Sequence, residues 1–107
     1  MIYTAAYIEQ SIAEFKVRME TELDFCRQLF EDATIRLMAA KYAYYICSEE
    51  FITDTAYDIA EKGWYCMGRA LGVLAEDETS PCLDFDPKHP YAEKGIELAN
   101  RFIKKRR

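Results

Sequence analysis

Apolar residues recur at every third or fourth position from Ile8 to Cys47: Ile8, Ile12, Phe15, Met19, Leu23, Cys26, Phe30, Ala33, Leu37, Ala40, Tyr44 and Cys47. That step is the period of an α-helix with one apolar stripe. Charged residues, among them Glu14, Arg18, Glu22, Arg36 and Lys41, fall between the apolar ones. No glycine or proline interrupts the run, since all seven lie at or beyond Gly63. The pattern predicts either one very long helix from about Thr4 to Cys47 or two helices sharing its register, with Thr21 and Thr34 as break points. A helix of that length cannot bury its stripe unaided. It must fold back on later helices or pair with a second copy, and a step close to the coiled-coil period makes a homodimer one expectation.

After a short loop over Ser48–Ile52, Thr53 has the chemistry of an N-cap, and Asp54 falls where the helix dipole favours a carboxylate. The next helix is predicted over about Asp54 to Leu74, with Ala56, Tyr57, Ala60, Trp64, Met67, Leu71 and Leu74 as its apolar face. Gly68 and Gly72 share a face within it. Glu76 to Pro90 holds all three prolines and reads as a loop. Pro90 suits the first turn of a last helix, about Pro90 to Lys104, whose buried side would be Ile96, Ala99, Phe102 and Ile103. The fold class is therefore all-α, three or four helices in a single domain of 107 residues, with a long N-terminal helix or helical hairpin.

Charge is unevenly spread. The chain carries −5 overall, but residues 1–100 hold all 19 acidic side chains and only 9 of the 14 basic ones, a net of −10. Arg101, Lys104, Lys105, Arg106 and Arg107 form a basic tail, read here as solvated. An acidic body is a poor surface for duplex DNA, because phosphate affinity comes from Lys and Arg. The four cysteines, Cys26, Cys47, Cys66 and Cys82, are too dispersed for a zinc knuckle or a redox pair, so free thiols in a reducing cytoplasm are expected and no metal is. The first residues turn polar too soon for a signal peptide, and no apolar run has the length of a membrane span. His89, between Lys88 and Pro90, has no nucleophile or ligand partner in sequence and reads as a loop residue. No nucleophile–base pair, metal cluster or phosphate loop can be assembled, so the chain is not expected to be an enzyme.

One stretch does suggest chemistry: Tyr44 to Asp58, YYICSEEFITDTAYD. Two adjacent tyrosines precede a loop, Asp54 opens a helix, and Tyr57 and Asp58 follow one turn on. Aromatic faces beside carboxylates suit a flat cationic or amide-bearing ring attached to a ribose. Ordinary packing for the tyrosines, a helix-terminal charge for Asp54 and plain solvation for Asp58 are the competing explanations.

The segment from about Ala40 to Glu61 resembles the N-terminal Ia domain of NAD-dependent DNA ligases. The matching residues are the tyrosine pair Tyr44-Tyr45, the hydrophobic Phe51-Ile52, and Asp54, Tyr57 and Asp58 of a D-x-x-Y-D signature. Thr79-Ser80-Pro81 is similar to a Ser-Pro turn that follows in that family. The resemblance implies a small helical module that grips the nicotinamide mononucleotide (NMN) half of NAD. Tyr44 and Tyr57 would sandwich the nicotinamide, Asp54 would accept from its carboxamide, and Asp58 would bind ribose hydroxyls. Tyr45 stands where the family usually has a phosphate-facing histidine. No K-x-D-G adenylation motif, OB-fold-like strand region, zinc cluster or helix-hairpin-helix repeat accompanies the module. The resemblance thus implies a stand-alone, non-catalytic module, of a kind carried by bacteriophages or mobile elements, that binds a nicotinamide nucleotide or docks onto a larger nucleic-acid enzyme. A second expectation is an acidic helical protein that binds and inhibits a host nucleic-acid-processing enzyme by imitating the charge of its substrate.

Overall fold

The computed structural model describes residues 4–50, 52–74 and 87–106; Phe51, Thr79-Ser80-Pro81, Cys82 and Arg107 lie outside them. Three helices follow in order, α1 (Ala5–Tyr45), α2 (Asp54–Ala70) and α3 (Ala92–Arg106), and among the described residues there is no strand. The all-α class with a long N-terminal helix is therefore what the chain adopts.

α1 spans 41 residues but is not a straight rod. Glu22 has φ −135° and ψ 46°, outside the helical region, and the helix kinks there. A straight helix of this length would run about 61 Å, whereas the longest dimension of the molecule is 42 Å. Neither expected break point is the bend itself. Thr21 adjoins it, and Thr34 is buried inside an unbroken helical stretch, its hydroxyl donating to the Phe30 carbonyl at 2.8 Å. The bend lies at neither Gly nor Pro, so no local breaker explains it. Its consequence is burial of both halves of the stripe. Ile8, Ile12, Phe15 and Met19 pack on Cys66 and Ala70 of α2, while Phe30, Ala33 and Leu37 pack on Trp64 and Tyr65. The stripe that argued for a second copy is thus largely covered within one chain. On the outside of the bend Arg18 donates to Glu22 at 2.8 Å and lies over the Phe25 ring at 4.8 Å. Both contacts are exposed and worth little.

Thr4 caps α1 by accepting from the Tyr7 N–H, and Thr53 caps α2 by accepting from the Ala56 N–H, both at 3.1 Å. The α2 cap is the expected one. At its other end α2 stops at Ala70, four residues before the expected Leu74. Gly72 takes φ +76° there, with Gly72 N–H donating to the Arg69 carbonyl at 3.1 Å and Val73 N–H to the Gly68 carbonyl at 2.9 Å. This is the paired Schellman closure that glycine makes accessible. Leu71 and Leu74 continued the apolar period in sequence and concealed the stop. Leu74 still packs, folding back over Gly68.

α3 begins at Ala92, with Pro90 in the turn before it, and its first turn is held by His89, whose Nδ1 accepts from the Tyr91 N–H at 3.1 Å. The helix continues to Arg106, so Arg101, Lys104 and Lys105 stand on helical backbone, and their side chains are exposed to solvent as expected. Ala99 packs on Ala39 and Ala43 of α1, and Gly95 approaches Met38 and the Ala39 backbone. α2 and α3 both pack on α1 and do not touch each other through their backbones.

The thiols of Cys26, Cys47 and Cys66 are free; Cys26 and Cys66 are buried and Cys47 half-buried. Burial pushes the Cys66 thiol above its ordinary pKa, against the lowering influence of Arg69. At pH 8, iodoacetamide should therefore modify Cys47 well before Cys26 or Cys66, read by site-resolved mass spectrometry. Equal rates at the three sites would show that this core opens far more readily than its packing implies.

Candidate functional site

The last turn of α1 and the first turn of α2 face each other across the 46–53 loop. The loop leaves α1 with Ile46 N–H donating to the Tyr42 carbonyl at 2.9 Å and Glu49 N–H to the Ala43 carbonyl at 2.8 Å. Ser48 takes a left-handed φ of 55°, which turns the chain toward Thr53. These bonds fix how far the Tyr44-Tyr45 pair stands from the α2 N-terminus.

Between the two turns lies a recess of about 260 Å³ lined by Ala40, Lys41, Tyr44, Tyr45, Glu50, Ile52, Asp54 and Tyr57. Four of the five residues singled out in sequence therefore meet around one cavity. Asp58 is exposed on α2 and does not line it. The Tyr44 and Tyr45 rings pack edge to face, with centroids 5.0 Å apart and planes at 83°, and their residues are 51% and 66% exposed. Tyr57 is half-buried and packs against the Leu37–Trp64–Tyr65 cluster, so its ring is the firmer wall. Part of its role is ordinary core packing, as the plainer explanation held.

Lys41 and Glu50 were missed in the sequence. The Lys41 ammonium lies 4.9 Å from the Tyr57 ring centroid and 5.2 Å from that of Tyr45. One cation thus spans two aromatic faces, an arrangement worth about 0.5–2 kcal/mol per contact depending on its exposure to water. Lys41 had looked like one more charge between the apolar steps. Its spacing carried the available signal, because residues three and four before Tyr44 and Tyr45 share their side of the helix. Asp54 and Glu50 supply two carboxylates to the same rim, and Asp54 sits in the first turn of α2, where unpaired backbone N–H groups and the helix dipole favour negative charge.

Chemically, this recess offers aromatic faces, two acids and one base. It suits binding of a flat cation whose edge carries N–H or O–H donors. Among the described residues no three His, Cys, Asp or Glu side chains are placed to hold a metal ion, and no helix is long and apolar enough to cross a membrane. Compared with protein-family models, curated proteins and solved structures, the chain matches none.

Proposed function

We propose that this chain is a non-catalytic binding module for a nicotinamide nucleotide, NMN or the NMN half of NAD, received in the recess between α1 and α2. One observation carries the reading: Tyr44, Tyr45, Asp54 and Tyr57, chosen for their resemblance to a ligase Ia domain, line a single cavity. A nicotinamide ring is a pyridinium, so it gains from stacking on Tyr57 and Tyr45, the two faces that Lys41 spans, in place of the Tyr44–Tyr57 pair that the resemblance implies. Its carboxamide N–H groups match the Asp54 carboxylate. Asp58, one residue beyond Tyr57 but outside the recess, is the weakest member of the proposed set.

Lys41 sharpens the proposal. Its ammonium occupies the aromatic faces that a pyridinium would use, and the two cations repel at that range. On entry of the ring Lys41 swings off the tyrosines and meets the ligand's phosphate, the contact that Tyr45 cannot make as a charged group. Lys41→Met should therefore tighten binding of nicotinamide riboside, which lacks the phosphate, and loosen binding of NMN.

Calorimetric titration of the full chain with NMN, nicotinamide riboside and nicotinamide tests this. Saturable NMN binding in the micromolar to millimolar range is expected. It should weaken roughly tenfold or more in Tyr57→Ala and in Asp54→Ala, the loss expected for a stacking face or a charged hydrogen-bond partner. No heat of binding at millimolar NMN, with the protein folded, would end the proposal. Docking on a larger protein would then be the remaining role for the module.

A further inference from the structure

A second cavity lies on the other side of α2. Because α2 and α3 rest on the same helix and their backbones do not meet, a groove runs between them over α1. Its volume is about 570 Å³, within the range of small-molecule sites. Its walls include Leu29 and Leu37 of α1, Ala60, Trp64 and Met67 of α2, and Phe102 of α3. Phe102 is 43% exposed at its edge. The polar residues lining it are Asp32 and Arg36, one turn apart on α1 and opposite in charge. Along α2 the groove extends from Ala56 to Met67, about 16 Å at the helical rise.

Past Phe102 the surface changes character. A recess lined by Leu98, Arg101, Phe102, Lys104 and Lys105 adjoins the groove, sharing Leu98 and Phe102 with it. An apolar trough thus opens onto three cationic side chains in a chain whose first hundred residues carry −10. A neutral apolar ligand makes no use of that mouth, and a cationic one is repelled by it.

We propose that this groove is a binding site for an anionic amphiphile, a linear alkyl chain bearing a carboxylate or phosphate head. The chain lies along α2 against Trp64 and Met67, and the head rests among Arg101, Lys104 and Lys105. The site shares no wall with the recess proposed for the nucleotide apart from Ile52, and the inference stands whether or not that reading does.

The single tryptophan reports on it directly, because Trp64 is part of the wall. The full chain is titrated with decanoate and dodecanoate below their micelle-forming concentrations, and with dodecyltrimethylammonium and dodecyl maltoside as matched cationic and neutral probes. Expected is a saturable change in Trp64 emission with dodecanoate. It should be tighter than for decanoate by up to about fifteenfold, the effect of two buried methylenes. It should be tighter than for the cationic and neutral probes by a similar factor. A Cβ at Gly63, a groove residue, would meet no atom within 4 Å, so the side chain of Gly63→Leu starts into open space and narrows the trough. It should abolish the response while the circular dichroism spectrum stays helical. Lys104→Glu with Lys105→Glu should remove the preference for anion over cation. The proposal is overturned if dodecanoate gives no saturable change, if the cationic probe binds as well, or if Gly63→Leu binds undiminished. It is also overturned if an acidic helical peptide shifts Trp64 where dodecanoate does not, for then the groove is a protein-docking surface.

Discussion

Trp64→Ala is expected to lower stability by about 3–5 kcal/mol, the cost of emptying a large aromatic from a packed core. Trp64 is 5% exposed and stacks on Phe30 at a centroid distance of 6.0 Å with planes 11° apart. Its indole N–H donates to the Thr34 hydroxyl at 2.9 Å, and that hydroxyl donates onward to the Phe30 carbonyl. The side chain therefore holds α2 to the second half of α1 by area, by stacking and by a buried hydrogen bond at once. A domain of this size has roughly 5–15 kcal/mol in total, so the variant should melt roughly 10–20 °C lower. Thr34→Val isolates the hydrogen bond: it keeps the shape, leaves the indole N–H without its acceptor, and should cost about 1–3 kcal/mol. Thermal and urea denaturation of both variants checks the pair. A change under 1 kcal/mol for Trp64→Ala would mean that α2 is not seated on α1 as described.

The second large effect is expected at the other helix contact. A Cβ at Gly95 would lie 3.2 Å from the Met38 Cβ, 3.4 Å from the Ala39 nitrogen and 3.5 Å from the Ile35 carbonyl oxygen. Two of those three atoms are backbone and the third is fixed to it, so nothing there can rotate away. Ala39, Ala43 and Ala99 continue the same close approach without any long side chain. Gly95→Leu should therefore push α3 off α1 and cost about 1–3 kcal/mol or more, the usual penalty for overpacking. Exposed Gly63 makes the contrast within α2. With open space at its Cβ, Gly63→Ala should raise stability by about 0.5–1 kcal/mol, because glycine in a helix interior is the worse residue. If both glycine variants shift the melting temperature in the same direction, the packing assigned to α3 is wrong.

The period of the apolar steps made the long helix legible, and Thr53 made the start of α2 legible. The bend at Glu22 was only half legible: Thr21, one of the two expected break points, adjoins it, but no glycine or proline marks it. Its benefit, the packing of Ile8 to Met19 on α2, is visible only in the tertiary structure. The stop at Gly72 was hidden by Leu71 and Leu74, which keep the helical period although they pack from beyond the helix. The site was partly legible. A loop of fixed length between Tyr45 and Asp54 meant that the tyrosine pair and the helix start must face each other. Lys41 and Glu50 escaped notice, because a charge between apolar steps looks solvated until the opposite wall is in place. Asp58 stands outside the recess for the converse reason: adjacency to Tyr57 in sequence turns its side chain about a quarter of a turn around the helix.

The nucleotide reading is tested most directly by mapping backbone amide chemical shifts of isotope-labelled protein as NMN is added. The account predicts saturable shifts concentrated at Lys41, Tyr44, Tyr45, Glu50, Asp54 and Tyr57, with the amides of α3 unmoved. Absence of shifts at millimolar NMN, or shifts centred on another surface, would contradict it.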